Sequence, residues 1–167
     1  MTRTGTLHLL IGPVGAGKTT HGQRQAMRSG GVFLDLDAWM VRLFGADPRP
    51  QDGVIAWYLE RRERCRSLLW DVANDVLRSG VDVVLELGLV TAADREAFYE
   101  KAHAEDLSLR VYLVDAPRDV RRERVLQRNK TPGPFTQIVP IEFFERASDL
   151  WQPPADAERA RWNILDM

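Results

Sequence analysis

The chain has 167 residues, 44% of them hydrophobic and 28% charged, with a formal net charge of -1. That is about one domain of ordinary globular composition, with no global field to gather nucleic acid or an anionic membrane. The single cysteine, Cys65, excludes an internal disulfide and fits a reducing cytosol, and no apolar run is long enough to span a bilayer.

Met1 to Thr6 is too short and polar for a signal peptide, so the expected location is the cytoplasm. Leu7, Leu9, Leu10 and Ile11 then form a first apolar run that ends at a glycine loop. A helix-compatible segment over 17–29 follows. Val32, Phe33, Leu34 and Leu36 form a second run, ending at Asp35 and Asp37, and a short helix is expected over Ala38 to Phe44. Gly45-Ala46-Asp47-Pro48-Arg49-Pro50 breaks the chain, because its prolines stop any helix.

The segment 53–79 reads as a long helix: Tyr58, Cys65, Leu69, Val72 and Val76 recur at helical spacing up to Ser79-Gly80. On that helix Cys65 reads as a packing residue. Its apolar stripe is interrupted where Arg61 or Arg62 falls, and an arginine there either reaches into a cleft or snorkels to solvent. Trp39, Trp57 and Tyr58 either wall a pocket or join the core. Val81, Val83, Val84, Leu85 and Leu87 form the third strand, and 93–105 the next helix. Leu109, Val111, Leu113 and Val114 form the fourth strand, followed by a basic helix over 118–129. Thr131-Pro132-Gly133-Pro134 and Gln152-Pro153-Pro154 are irregular, and Trp162-Asn163-Ile164-Leu165 suits a last strand. Brief Val- and Leu-rich runs alternating with helices predict a parallel sheet covered on both faces, an α/β architecture in three layers. No repeat or linker divides residues 1–167, so one domain is expected.

Gly12-Pro13-Val14-Gly15-Ala16-Gly17-Lys18-Thr19 satisfies G-x-x-x-x-G-K-[ST] completely, between a strand and a helix. Glycines let successive N–H groups curl around phosphates, and the helix beginning at Gly17 adds its positive end. Gly12, Gly15, Ala16, Gly17, Lys18, Thr19 and Thr20 are therefore the expected nucleotide-binding residues. Lys18 should reach the β- and γ-phosphates of ATP, and the Thr19 hydroxyl should ligate Mg²⁺. The three histidines, His8, His21 and His103, are too scattered for a metal site.

With the acidic end of the second strand, Glu86 on the third and the arginine-rich helix after the fourth, the chain resembles the small P-loop kinases of the adenylate-kinase-like group. The likeness is to the AAA_33 branch, near zeta toxins, chloramphenicol phosphotransferase and polynucleotide 5′-kinases, and it covers nearly the whole chain. It implies a P-loop NTPase fold with strand order 2-3-1-4-5, an arginine-rich lid around 118–140, and transfer of the γ-phosphate of ATP to an acceptor. Relatives usually show Asp where Glu86 stands, followed by a small residue and Thr; this chain has Glu86-Leu87-Gly88.

On the acceptor side, transfer to a hydroxyl needs a carboxylate aimed at that hydroxyl. Asp37 stands where the resembled kinases carry their base, although it could instead cap the helix that follows it. Asp35 is the second candidate for the base and an expected acceptor contact, unless it merely touches the P-loop backbone or helps hold Mg²⁺ through water. Glu86 lies inside an apolar run, so it needs a partner: metal-bound water, a backbone amide or the substrate. Arg95 matches a recurring arginine of the family and is expected to bind the acceptor or a phosphate, unless it is a helix surface charge. In the helix Arg118-Asp119-Val120-Arg121-Arg122-Glu123-Arg124-Val125-Leu126-Gln127-Arg128, arginines outnumber acids. Guanidinium suits the charge spread over a transferring phosphoryl group, so Arg124 and Arg128 are the catalytic candidates and Arg121 a nucleotide contact.

The expected partners are a nucleoside triphosphate and a small hydroxyl-bearing acceptor such as an antibiotic, a nucleoside or a sugar, with no membrane. A polynucleotide 5′-kinase is the competing enzyme reading, which the balanced charge does not favour. An ATP-binding switch or ATPase is the competing reading of another class.

Overall fold

The computed structural model describes residues 4–134 and 136–167. Residues 1–3, part of the Met1–Thr6 segment weighed above as a leader, and Phe135, within the expected lid region, lie outside the described residues.

The chain alternates strand and helix. β1 (Thr6–Ile11) leads into α1 (Lys18–Ser29), and β2 (Val32–Asp35) into α2 (Leu36–Phe44) and the long α3 (Val54–Arg78). β3 (Val83–Glu86), α4 (Ala92–Ala104), β4 (Ser108–Leu113) and α5 (Arg118–Lys130) follow. The chain then runs through α6 (Ile141–Leu150), α7 (Asp156–Trp162) and β5 (Leu165–Asp166). All five strands are parallel, in the order β2-β3-β1-β4-β5, as the resemblance implied.

Alternation along each strand feeds the two faces of the sheet. Leu7, Leu9 and Ile11 of β1 join Leu69 and Leu77 of α3 and Tyr99 of α4 in one buried cluster. Leu10, Val84 and Tyr112 point the other way, onto Ala26 of α1 and the Phe33 ring. Cys65 is buried in the first cluster, as a packing residue should be. Shortening a buried leucine such as Leu9 to alanine would cost about 2–5 kcal/mol.

The register positions the site. Asp35 at the end of β2 lies opposite Glu86 at the end of β3, and Glu86 lies opposite Leu10 of β1. Two carboxylates thus stand at adjacent strand ends, next to the strand that carries the glycine loop. This is the carboxyl edge of the sheet, where open α/β folds collect their ligands.

The sequence reading did not anticipate α6, and it departs from the structure in two further places. The helix after β2 begins at Leu36 rather than Ala38, because Asp35 starts it. The C-terminal segment forms α7 through Trp162, which leaves only Leu165–Asp166 as strand. No helix among the described residues is long and apolar enough to cross a membrane.

Candidate functional site

Between β1 and α1 the loop takes a shape that only its own residues permit. Gly12 has φ 149°, and a Cβ there would fall 2.0 Å from the Val114 carbonyl oxygen. The chain just past β4 therefore presses directly on the loop backbone. Gly17 heads α1 in a left-handed conformation with no side-chain cap, so the first amides of α1 remain available to an anion. Lys18 Nζ curls back over the loop, donating to the carbonyls of Gly12 and Pro13 at 2.9 Å each. Thr19 Oγ1 donates to Asp35 Oδ2 at 3.2 Å. Thr19 and Thr20 are exposed at the start of the helix.

Asp35 is held from both sides. Its Oδ1 accepts from the amides of Asp37 at 2.9 Å and Ala38 at 3.3 Å, which caps α2. The capping that the sequence allowed for Asp37 thus falls to Asp35, and Asp37 stands exposed in the first turn of α2. Burial, and then the charge of Asp37, push the Asp35 carboxyl above its ordinary pKa.

Glu86 is buried, with Oε1 accepting from the Gly88 amide at 3.0 Å and lying 3.8 Å from Lys18 Nζ. Of the partners expected for it, the structure supplies a backbone amide, just past the end of β3, and it adds the P-loop lysine. Burial raises its pKa to about 7; Lys18 opposes that shift, while Asp37 and Asp35 reinforce it. Lys18, Glu86, Asp35 and Asp37 thus form one electrostatic group at the carboxyl edge.

The basic helix divides its arginines by face. Arg124 Nη1 donates to the Ala16 carbonyl at 3.1 Å, and a Cβ at Gly17 would lie 3.9 Å from that same nitrogen. Arg124 therefore rests on the phosphate loop. Arg128, one turn on, is exposed and does not share that contact. Arg121 was expected to bind nucleotide, but its buried guanidinium is committed elsewhere. It donates to the carbonyls of Ala116 and Val14 at 2.9 Å and to Ser148 Oγ at 3.1 Å, and it lies over the Phe144 ring. Arg121 braces the loop from behind. Arg118 and Arg122, both exposed, tie α5 to α6 through Glu145.

Arg95 is a second correction. It was expected at the acceptor, yet its side chain is 0% exposed and grips Glu158 through Nε at 2.6 Å and Nη2 at 2.8 Å. Nη1 donates to the Gln152 carbonyl at 2.8 Å. A fully buried guanidinium with its fork satisfied has no face to offer a substrate. Gln152 and Glu158 are therefore the clasp that pins the C-terminal segment to α4.

Arg62 of α3, weighed above between a cleft and solvent, turns inward, and Arg66, which the sequence did not single out, joins it. Both reach the carbonyls that follow Glu86: Arg62 Nη2 donates to Gly88 at 2.8 Å and Arg66 Nη2 to Leu87 at 3.1 Å. The interrupted apolar stripe was the available signal, and it pointed inward for Arg62. Arg61 turns away to lie over the Trp57 ring at 4.0 Å. Trp39 and Tyr58 pack on the core.

The residues present fit a nucleotide and Mg²⁺: a glycine cradle, a lysine at its mouth, and a threonine hydroxyl paired with a carboxylate. The sequence matches the AAA_33 family, an AAA domain, over residues 7–154. The chain belongs to that family. Shikimate kinase of Psychrobacter arcticus is 32% identical over 131 residues, which span 74% of this chain and 61% of that relative. The match thus covers less than two thirds of the relative's length. Among solved structures, a gluconokinase from Sinorhizobium meliloti 1021 superposes with TM-score 0.61 at 17% identity, covering 99% of this chain and 83% of that one. Chaetomium thermophilum Kti12, in a complex with ADP-AlF3, superposes with TM-score 0.69 at 15% identity, covering 96% and 88%. At these identities the two structures establish the AAA_33 chain's P-loop fold.

Proposed function

We propose that this AAA_33 protein is an ATP-dependent phosphotransferase that moves the γ-phosphate to a hydroxyl of a small molecule. One observation carries the reading. Asp35 takes over the capping of α2, which leaves the Asp37 carboxylate exposed in its first turn, where its charge acts on Glu86. A protein that only binds or hydrolyses nucleotide has no need of a free carboxylate on that side. The kinase name of its shikimate kinase relative agrees with this reading.

The amides of the loop and of the first turn of α1 hold the phosphates. Lys18 exchanges its loop carbonyls for phosphate oxygens. Thr19 offers its hydroxyl to Mg²⁺, with Asp35 behind it. Bound Mg²⁺ neutralises charge on the phosphate chain. Asp37 orients the acceptor hydroxyl and takes its proton as the acceptor oxygen bonds to the γ-phosphorus. The bond from that phosphorus to the β–γ bridging oxygen breaks, and ADP leaves with its electron pair. Arg124 balances charge on the moving phosphoryl group, with Arg128 as its reserve on the same helix. The segment 118–140 acts as the lid that excludes water.

The test is transfer of label from γ-labelled ATP, with Mg²⁺, to pools of sugars, hydroxy acids, nucleosides, antibiotics and 5′-hydroxyl oligonucleotides. Labelled small-molecule product that disappears in Asp37→Asn supports the reading. Tight ATP binding with no labelled product from any pool overturns it, and label only on the oligonucleotides turns it into a polynucleotide kinase.

A further inference from the structure

Arg62 and Arg66 stand one helical turn apart on α3, so they share a face. Both direct their donors at backbone carbonyls just past β3. Arg66 Nε and Nη2 donate to the Leu87 oxygen at 3.2 and 3.1 Å, and Arg62 Nη2 reaches the same oxygen at 3.5 Å. Arg62 Nη2 also donates to the Gly88 oxygen at 2.8 Å, and Arg66 Nη2 does so at 3.3 Å. Gly88 has φ 59°, and a Cβ on it would lie 2.6 Å from Arg62 Nη2. A side chain there would push that guanidinium off the turn.

The charge of Arg66 is answered within the protein. Asp94, Glu63 and Glu86 all act on it, and Glu63 approaches to 3.7 Å. The two guanidiniums are thus free to fix a turn of the backbone.

The Leu87 oxygen belongs to the same planar peptide unit as the Gly88 N–H. Planarity ties the two ends together: where the oxygen is held, the direction of the N–H is set. That N–H donates to Glu86 Oε1 at 3.0 Å, the one hydrogen bond to this carboxylate among the described residues. Glu86 Oε1 in turn lies 3.8 Å from Lys18 Nζ. The contacts run in one line, from α3 through a peptide unit to a buried carboxylate and the P-loop lysine. Hydrogen bonds at the carbonyl polarise the unit and strengthen its N–H as a donor. A cation at the oxygen and a carboxylate at the hydrogen act in the same direction. Glu86 is only 5% exposed, so it depends on such a bond to hold its place.

We propose that Arg62 and Arg66 are positioning residues: by holding the Leu87–Gly88 turn they aim the Gly88 N–H at Glu86, and so keep its carboxylate against Lys18. This deepens the phosphotransferase reading, on which its consequence for rate rests; the positioning itself stands apart from that reading. The arginines act through the peptide and Glu86 rather than on a substrate.

The first measurement is the amide resonance of Gly88 in isotope-labelled protein without ligand, at a pH well above the Glu86 pKa of about 7 so that the carboxylate is ionised. In the wild type this proton should lie downfield and exchange slowly. Glu86→Gln removes the charged acceptor and should move it upfield. Arg66→Met leaves Glu86 intact, yet should move it the same way and speed its exchange about tenfold. Arg62→Met should do so less, since its contact with the Leu87 oxygen is longer. Arg66→Lys keeps the charge without the planar fork and should fall between wild type and Arg66→Met. A Gly88 resonance unmoved in both Arg66 variants overturns the proposal.

The second measurement is transfer of label from γ-labelled ATP to sugars, hydroxy acids and nucleosides. Arg66→Met should lower kcat about tenfold and leave the acceptor KM unchanged. In the Glu86→Gln background the same substitution should have no further effect, because both act through one carboxylate. A raised acceptor KM that persists in that background overturns the proposal, since it places the arginine on the acceptor. A Gly88 amide that behaves as expected, with no labelled product from any acceptor, upholds the positioning and sinks the phosphotransferase reading.

Discussion

The Asp35 carboxylate accepts a hydrogen bond from the backbone amide of Asp37, at 2.9 Å. Two carboxylates only two residues apart are thereby given separate tasks, one structural and one exposed. Asp37→Asn should lower kcat by a factor of about 10² to 10⁴ with little change in ATP affinity, since it removes a proton acceptor and no phosphate contact. Asp35→Ala should do something different. Losing the cap of α2 should cost about 0.5–2 kcal/mol in urea unfolding, and freeing Thr19 should raise the Mg²⁺ concentration needed for half-maximal rate. If Asp37→Asn keeps full turnover while Asp35→Asn loses it, the two assignments are reversed.

Arg124 touches the Ala16 carbonyl, whereas Arg128 sits a turn further on and exposed. An arginine placed over a phosphate loop acts on charge that develops during transfer, and removing one costs about 10³ or more in rate in comparable systems. Arg124→Ala should therefore lose far more kcat than Arg128→Ala, each with its melting temperature intact. Arg121→Ala should behave in a third way. Its side chain binds Val14, Ala116 and Ser148, so its loss should show in the melting temperature before it shows in ATP affinity. Steady-state rates together with thermal melts of the three variants separate these roles. Equal loss of kcat in Arg124→Ala and Arg128→Ala would place both guanidiniums on the phosphates.

Much of this was legible in the sequence. The glycine loop is contiguous, and its chemistry depends on backbone conformation that glycine placement reveals. The central strands β1 and β3 were legible because each is a short apolar run buried almost throughout. What stayed hidden was the partner of each charged side chain. Arg95 and Glu158 lie 63 residues apart, and nothing local in either segment announces the other. The capping of α2 by Asp35 rather than Asp37 turns on a two-residue difference in where the helix begins, the least legible feature of a pattern. Arg66 drew no notice because its partners are carbonyls, which any sequence has.

The Arg95–Glu158 pair supplies a test of that clasp. Arg95 is fully buried and Glu158 nearly so, and the Tyr99 hydroxyl donates to Glu158 Oε1 at 3.2 Å. Removing one partner strands a buried charge, so Arg95→Ala should destabilise by about 3–5 kcal/mol in equilibrium unfolding. Glu158→Gln should cost less than Arg95→Ala, because the amide still accepts a hydrogen bond. Arg95→Met with Glu158→Leu should recover much of the loss. Whatever fraction remains folded should bind ATP normally, since neither side chain reaches the loop. A change in acceptor KM for the double variant, at full stability, would return Arg95 to the acceptor site.

Glu86 links the site to pH. Burial holds its folded-state pKa at about 7, against an ordinary 4.5. The folded protein therefore binds this proton more tightly than the unfolded chain does. The stabilisation is complete below about pH 4.5 and is lost as pH rises through about 7, when the buried carboxylate must ionise beside Lys18. For this group alone the loss between pH 5 and 8 has an upper bound of roughly 3 kcal/mol. Asp35, also shifted upward, adds a contribution of the same sign. Glu86→Gln keeps an acceptor for the Gly88 amide and carries no titrating proton. Urea unfolding of the wild type at pH 5, 6, 7 and 8 should thus show stability falling with pH, and Glu86→Gln should fall much less. Parallel pH profiles for the two proteins would mean that Glu86 is ionised throughout this range, held so by the Lys18 ammonium 3.8 Å away.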